Sequence, residues 1–212
     1  MFFVDPSLLG GFIVTAVAII MSPGPDTIVI LGHALNGGRG PGLAAVTGVQ
    51  AGLIIHTILA VAGISLIIAS SPGLLKTVAV VGAAYLAWLG IKSFSKSGGL
   101  QLDNGATPTG AGSGRAFREA ALCNLLNPKV ILLFLALFPN FINPGLGHVP
   151  AQLITLSVIL IVINVLWQAP MALAANAIRK WLSAPSVQRN VNHLSGAILL
   201  AMAGLMLYQQ LL

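Results

Sequence analysis

From Leu43 to Ser70 the chain runs without one Asp, Glu, Lys or Arg, and its only titratable side chain there is His56. Such a stretch is suited to a helix crossing a bilayer. About 20 apolar residues span the hydrocarbon, and a helix satisfies its own backbone polar groups there. The rest of the sequence agrees. Of 212 residues, 57% are apolar and 7% charged, against about 25% charged in an ordinary soluble domain. So few charges cannot cover a water-soluble fold of this size. A soluble enzyme, a nucleic-acid binder and a disordered chain are excluded on that ground. The single cysteine, Cys123, leaves no internal disulfide and no CxxC pair.

Six apolar segments are expected as transmembrane helices, at 7–35, 43–69, 73–91, 119–142, 149–176 and 191–212. The expected fold is therefore an all-α membrane protein. A barrel needs strands that alternate apolar and polar, and Val130 to Phe138 does not alternate. The first segment is read as a retained span, because no Lys or Arg precedes it and no small-x-small site follows. The ten Lys and Arg residues then order the topology. Arg39 falls in the first connection, Lys92, Lys96, Arg115 and Arg118 in the third, and Arg179, Lys180 and Arg189 in the fifth. Basic loops stay in the cytoplasm, so both termini are expected outside it, in a bacterial-type inner membrane. This distribution also accounts for the net charge of +6 without nucleic acid.

The stretch from Ser97 to Gly114 is rich in Gly, Ser and Thr and reads as a flexible linker. One transmembrane domain over 1–212 is expected, with a first half at about 7–95, a linker at about 96–116 and a second half at about 117–212. Three spans per half make the halves enter from opposite sides, the geometry of an inverted repeat.

Two motifs interrupt the apolar pattern. The first is Ser22-Pro23-Gly24-Pro25-Asp26. Pro23 and Pro25 have no N–H, so they release the carbonyls of Ile19 and Met21. Gly24 adds backbone freedom, and Asp26 opens a second half-helix at its positive dipole end. The second is Asn124-Leu-Leu-Asn127-Pro128-Lys129. Pro128 releases the carbonyl of Asn124, and Asn127 followed by Pro128 suits the start of a new half-helix carrying Lys129. Asp26 and Lys129 each lie roughly 15 Å from the cytoplasmic end of their span at the helical rise. A lone charge at such depth costs about 2.5–3.5 kcal/mol or more. Pairing, or a shared wet cavity, lowers that cost. Helix breaks of this kind are tolerated where they line a cavity, and paired broken helices mark the binding sites of secondary transporters.

These residues resemble the LysE/RhtB-type amino-acid exporter family. The Pro-Gly-Pro element matches its helix 1. Asn127-Pro128-Lys129, followed by the aromatic run Phe134 to Ile142, matches its helix 4. Gly38, Gly42, Gly48, Gly52 and His56 fit its helix 2, and Gly82 to Gly90 fits its helix 3. The resemblance covers the chain apart from 97–114 and is weakest in helix 6. It implies a six-helix inner-membrane carrier that expels amino acids or related small molecules, driven by an ion gradient.

The expected substrate-binding residues are Pro23, Gly24, Pro25, Asp26, Asn127, Pro128 and Lys129. Asp26 and the freed carbonyls would hold an ammonium group, and Lys129 and the half-helix end capped by Asn127 a carboxylate. Otherwise Asp26 and Lys129 would satisfy each other. Gln50, His56, Asn124, Asn164, Trp167 and Gln168 are candidate pathway residues, with interhelical hydrogen bonding as the plainer role. His56 relays protons or bonds a neighbouring helix. Gly48 and Gly52 serve close packing, in the bundle or in a homodimer. Tyr85, Trp88 and Trp181 read as interfacial or packing aromatics, Cys123 as inert, and His33, His148 and His193 as solvated.

No HExxH, GxSxG or P-loop is present, so those hydrolases and an ATP-driven pump find no support. No metal, cofactor or enzymatic activity is expected. The function expected is secondary transport of amino-acid-like zwitterions, with the proton as coupling ion. A passive small-solute channel and a structural membrane subunit are the alternatives.

Overall fold

The computed structural model describes residues 4–22, 24–70, 72–94, 112–182 and 184–211. Among these, every regular element is helical: α1 (Pro6–Met21), α2 (Pro25–Gly37), α3 (Arg39–Ser70), α4 (Pro72–Ser93), α5 (Ser113–Leu125), α6 (Pro128–Leu137), α7 (Val149–Leu173), α8 (Ala175–Leu182) and α9 (Pro185–Leu211). Two 3₁₀ turns, Phe138–Phe141 and Pro144–Leu146, join α6 to α7.

Three stretches are long and apolar enough to cross a bilayer alone: Arg39–Gly63 of α3, Val149–Leu173 of α7 and Pro185–Tyr208 of α9. Two bent pairs bring the candidate spans to five: α1 with α2, bent by 54°, and α5 with α6, bent by 58°. The apolar stretch Val80–Lys92 of α4 is shorter. The order of a bent pair, then a long helix, then a further helix occurs twice along the chain.

Residues 96–111 of the expected linker lie outside the described residues. α5 begins at Ser113, so Arg115 and Arg118 stand on its first turns rather than in a connection. Arg115 Nε donates to Glu119 Oε1 at 2.6 Å, and this i,i+4 pair favours an early helix start. Between α7 and α9, where only a loop was expected, α8 forms a short helix.

Local chemistry sets the helix ends. Asp5 caps α1 by accepting from the Ser7 backbone N–H (3.0 Å) and Ser7 Oγ (2.6 Å). Ser7 and Asn143, which donates at 3.2 Å, hold the Asp5 carboxyl below the usual carboxylate range, Ser7 most strongly. At the other end, Ser22 turns to extended geometry (ψ 113°), as a residue preceding proline does. Asn127 caps α6, its Oδ1 accepting from the Lys129 backbone N–H at 3.0 Å.

The core is largest around Phe12, Phe134, Phe138 and Phe141. Phe12 meets Phe138 and Phe141 edge-on at 5.6 and 5.5 Å, and Phe134 stacks on Phe138 at 4.5 Å. These rings pack with Leu137, Leu153, Leu156 and Leu160 from α6 and α7. Smaller clusters rich in alanine join α2, α3, α5 and the end of α7. Glycine permits the closest approaches. A Cβ at Gly48 would collide with the Phe117 backbone of α5, and one at Gly52 would lie 2.5 Å from Asn124 Oδ1. The Gly48/Gly52 face is therefore occupied within the bundle. Gly90 of α4 and Gly196 of α9 make a second such seam.

Candidate functional site: a cavity between two broken helices

The two breaks meet. Asp26, in the first turn of α2, accepts from Asn124 Nδ2 at 2.9 Å and from Asn127 Nδ2 at 3.3 Å. Lys129, in the first turn of α6, donates from Nζ to the Ser22 carbonyl at 2.6 Å. Its ammonium lies against Gly24, where a Cβ would sit 3.7 Å away. Each break thus supplies the partner for the other's charge.

Asp26 and Lys129 were expected to satisfy each other directly. They do not: no ion pair joins them among the described residues. Two neutral amides serve the carboxylate and one carbonyl serves the ammonium. The physical reason is local. Asn124 and Asn127 stand on either side of the second break and serve both carboxylate oxygens of Asp26, while the Lys129 side chain crosses to Gly24 and the Ser22 carbonyl. The carbonyl that Lys129 engages belongs to Ser22, turned out of α1 by its extended backbone.

The breaks line a cavity of about 50 Å³, above the roughly 10–15 Å³ needed to admit a water. Ser22, Gly24, Asp26, Thr27, Asn124, Asn127 and Lys129 form its polar wall. Ile19, Ile20, Leu53, Val130, Leu133 and Leu160 form its apolar wall, and Asn164 and Gln168 of α7 complete it.

The remaining expected residues divide. Pro25 starts α2 and is exposed, and Pro128 starts α6; both shape the breaks. Pro23 lies outside the described residues. Gln50 stands behind the cavity wall, donating to Gln168 Oε1 at 3.0 Å and accepting from Asn164 Nδ2 at 3.4 Å. Trp167 does not join the cavity; one step round α7 from Gln168, it packs with Leu31, Ala34, Met171 and Ala175.

His56 takes the plainer role. Its Nε2 lies 3.3 Å from the Asn124 carbonyl that Pro128 releases, so Nε2 carries the proton. The ring stacks on Phe134 at 5.5 Å and lines a separate, mainly apolar pocket with Leu59, Ala60 and Leu125.

One reading is corrected. His33 is not solvated: it is 2% exposed, with Nε2 3.0 Å from Glu119 Oε2, and so ties α2 to α5. Glu119 lies in a segment whose helical start was placed too late. Cys123, free and half-buried, stands beside Asn124 on α5. Trp88 stacks with Tyr85 at 5.5 Å, a packing role, and carries Lys92 Nζ 4.8 Å from its ring centre. Thr27 was also missed; it follows Asp26 and lines the cavity. No group of His, Cys, Asp and Glu suited to a metal occurs among the described residues.

A helical membrane protein with a charged cavity between two broken helices is a familiar class of carrier. Residues 17–210 match the family described as LysE type translocator, and the chain belongs to that family. It is 32% identical over 195 residues to the membrane protein YrhP of Bacillus subtilis, covering 89% of this chain and 92% of that one. It is 31% identical to the homoserine/homoserine lactone efflux protein of Salmonella typhimurium, covering 92% and 93%. It is also 31% identical to the leucine efflux protein of Salmonella choleraesuis, covering 72% of each. No solved structure matches. The chain is thus a member of a membrane transporter family whose named relatives include amino-acid efflux proteins.

Proposed function

We propose that this protein is a secondary transporter that exports amino acids or related small zwitterionic metabolites across the inner membrane by proton antiport. One observation carries the proposal: an acid and a base from two breaks about a hundred residues apart line one cavity. The substrate ammonium contacts Asp26 and the Ser22 carbonyl. Its carboxylate takes the Lys129 ammonium at the N-terminal end of α6, where the helix dipole favours an anion. Asn124, Asn127 and Gly24 hold these groups in place. A proton entering from outside neutralises Asp26 and releases the ammonium, and its loss inside restores the site. The six-span arrangement with inverted halves and both termini outside the cytoplasm belongs to the same proposal. The twofold occurrence of a bent pair followed by two longer helices supports it.

The relatives' names include homoserine and leucine, which share the amino-acid head group and differ in side chain. The two breaks are assigned to the shared head group.

Counterflow in liposomes with a panel of labelled amino acids tests the proposal. A carrier gives saturable uptake stimulated by the same amino acid on the other side. A passive channel gives uptake that neither saturates nor responds to internal substrate. A structural subunit gives none.

A further inference from the structure

At about 50 Å³ the cavity is about a third of one that takes benzene, roughly 150 Å³, and an amino acid such as leucine has more heavy atoms than benzene. A wall must therefore move before such a molecule enters. The two ends of the cavity are closed very differently. On the side of Leu133 and Leu160 the large aromatic cluster closes it. Phe12, Leu137, Phe138, Leu153 and Leu156 are fully buried there, and interlocked rings bury large areas. The other end is closed by a layer next to Asp26 and Asn124. Ile30 of α2 and Ala120 of α5 stand one turn from those two residues, in a cluster where alanine predominates. Alanine methyls bury little apolar area, so this layer separates at lower cost. Beyond it, His33 Nε2 meets Glu119 Oε2 at 3.0 Å. From Asp26 to His33 the closure is about 10 Å deep at the helical rise.

The two helices that meet at this end are not equally held. α5 is fixed to α3, where the Phe117 backbone fills the place a Cβ of Gly48 would take. α2 is bounded by a glycine at each end. Gly24 caps it in extended geometry, and Gly38 turns the chain out of it at φ 83°, a conformation that favours glycine. Positions at element ends absorb the backbone change when a segment swings. The tie between α2 and α5 is also incomplete. His33 Nδ1 is buried and finds no partner among the described residues, a cost that the closed form bears and a wetted, opened form does not. Glu119 stands at the rim with its side chain 39% exposed, so water replaces His33 as its partner on opening, while Arg115 keeps it oriented.

We propose that α2 is the gate through which the cavity is loaded, swinging off α5 about Gly24 and Gly38, and that the His33–Glu119 contact is its latch. This rests on the carrier reading above. Asp26 rides on α2, so the swing that admits the substrate also moves one of its two charged partners.

The test is labelling of the purified full-length protein in detergent with a water-soluble methanethiosulfonate reagent, in a Cys123→Ser background. Ala120→Cys reports the alanine layer and Ala16→Cys the aromatic cluster; both positions are 0% exposed, so each thiol reacts only when its surroundings open. Ala120→Cys is expected to react faster than Ala16→Cys. His33→Leu is expected to raise the Ala120→Cys rate by about tenfold, the effect of one hydrogen bond to a charged group, and to leave Ala16→Cys unchanged. Glu119→Ala, at the rim, is expected to give the same rise without altering a buried position. His33→Gln, whose amide still donates to Glu119, is expected to bring the rate most of the way back. Equal or reversed rates at the two positions overturn the gate, and with counterflow intact they leave the carrier standing. A rate at Ala120→Cys that neither His33→Leu nor Glu119→Ala raises overturns the latch, as does an equal rise at Ala16→Cys. Labelling needs no substrate. The expected pattern without counterflow of any amino acid upholds the opening at α2 and overturns the carrier reading.

Discussion

The two helix breaks use the same device, proline after a polar turn, yet they leave opposite chemistry exposed. At the first, Gly24 caps α2 without a side chain, and the exposed groups are a carbonyl and the Asp26 carboxylate. At the second, Asn127 caps α6 through Oδ1 and spends its Nδ2 on Asp26. Both charges sit at helix N-termini, which favour anions. Asp26 is therefore at home, whereas Lys129 is held against the local dipole and takes the Ser22 carbonyl from across the gap. The comparison teaches why the pair stays apart: the acid is served by two amides of the second break, and the base by a carbonyl of the first.

Removing the charge at the first break has the largest expected effect. Asp26→Asn has neither a charge to hold the ammonium nor a titrating group, so export against a gradient and counterflow are both expected to be lost. The check is net efflux and counterflow in the same liposomes. Retention of both breaks the assignment of Asp26 as ammonium partner and coupling group.

Next is the support behind Asp26. Gly52→Ala drives a Cβ into Asn124 and is expected to cost about 1–3 kcal/mol, the usual range for overpacking, and to impair counterflow. Gly63→Ala on the same helix meets nothing within 4 Å and should have neither effect. Thermal unfolding in detergent and counterflow read both variants.

Asn127→Ala removes a cap worth about 1 kcal/mol and one hydrogen bond to Asp26. The apparent Tm is expected to fall by a few degrees, less than for Gly52→Ala. A larger fall would show that the second break holds the bundle together.

The smallest effect lies away from both breaks, at Asp5. Its carboxyl is depressed by the Ser7 hydroxyl first, then by the Ser7 N–H and Asn143. The ionised form is the one stabilised, so its contribution is present above the ordinary carboxylate range and is lost as pH falls through the depressed value. Asp5→Ala should lower the apparent Tm slightly at pH 7, with the difference vanishing in strong acid.

Much of this was legible in the sequence. Proline lacks an N–H in any setting, so Pro25 and Pro128 announced the breaks, and Asn127 announced its cap. That Asp26 and Lys129 line one space followed from their matched depth. What was not legible depends on which partner arrives first in three dimensions. Asn124 reaches Asp26 because α5 packs on α3 at Gly48 and Gly52, an approach that glycine spacing allows but does not direct. His33 meets Glu119 because the bend swings α2 onto α5, and no periodicity in one chain reports that angle. Trp167 and Gln168 are adjacent in sequence and face different clusters, since a single step on a helix turns a side chain by about 100°.

The most direct measurement is the affinity of the purified protein for alanine, alaninamide and N-acetylalanine, before and after Lys129→Met. The unaltered protein should bind alanine and reject both blocked forms, and Lys129→Met should lose about a hundredfold in alanine affinity, the effect of a charged contact, together with its preference for alanine over alaninamide. Unchanged affinity and unchanged discrimination in Lys129→Met would contradict a site shared between the two breaks.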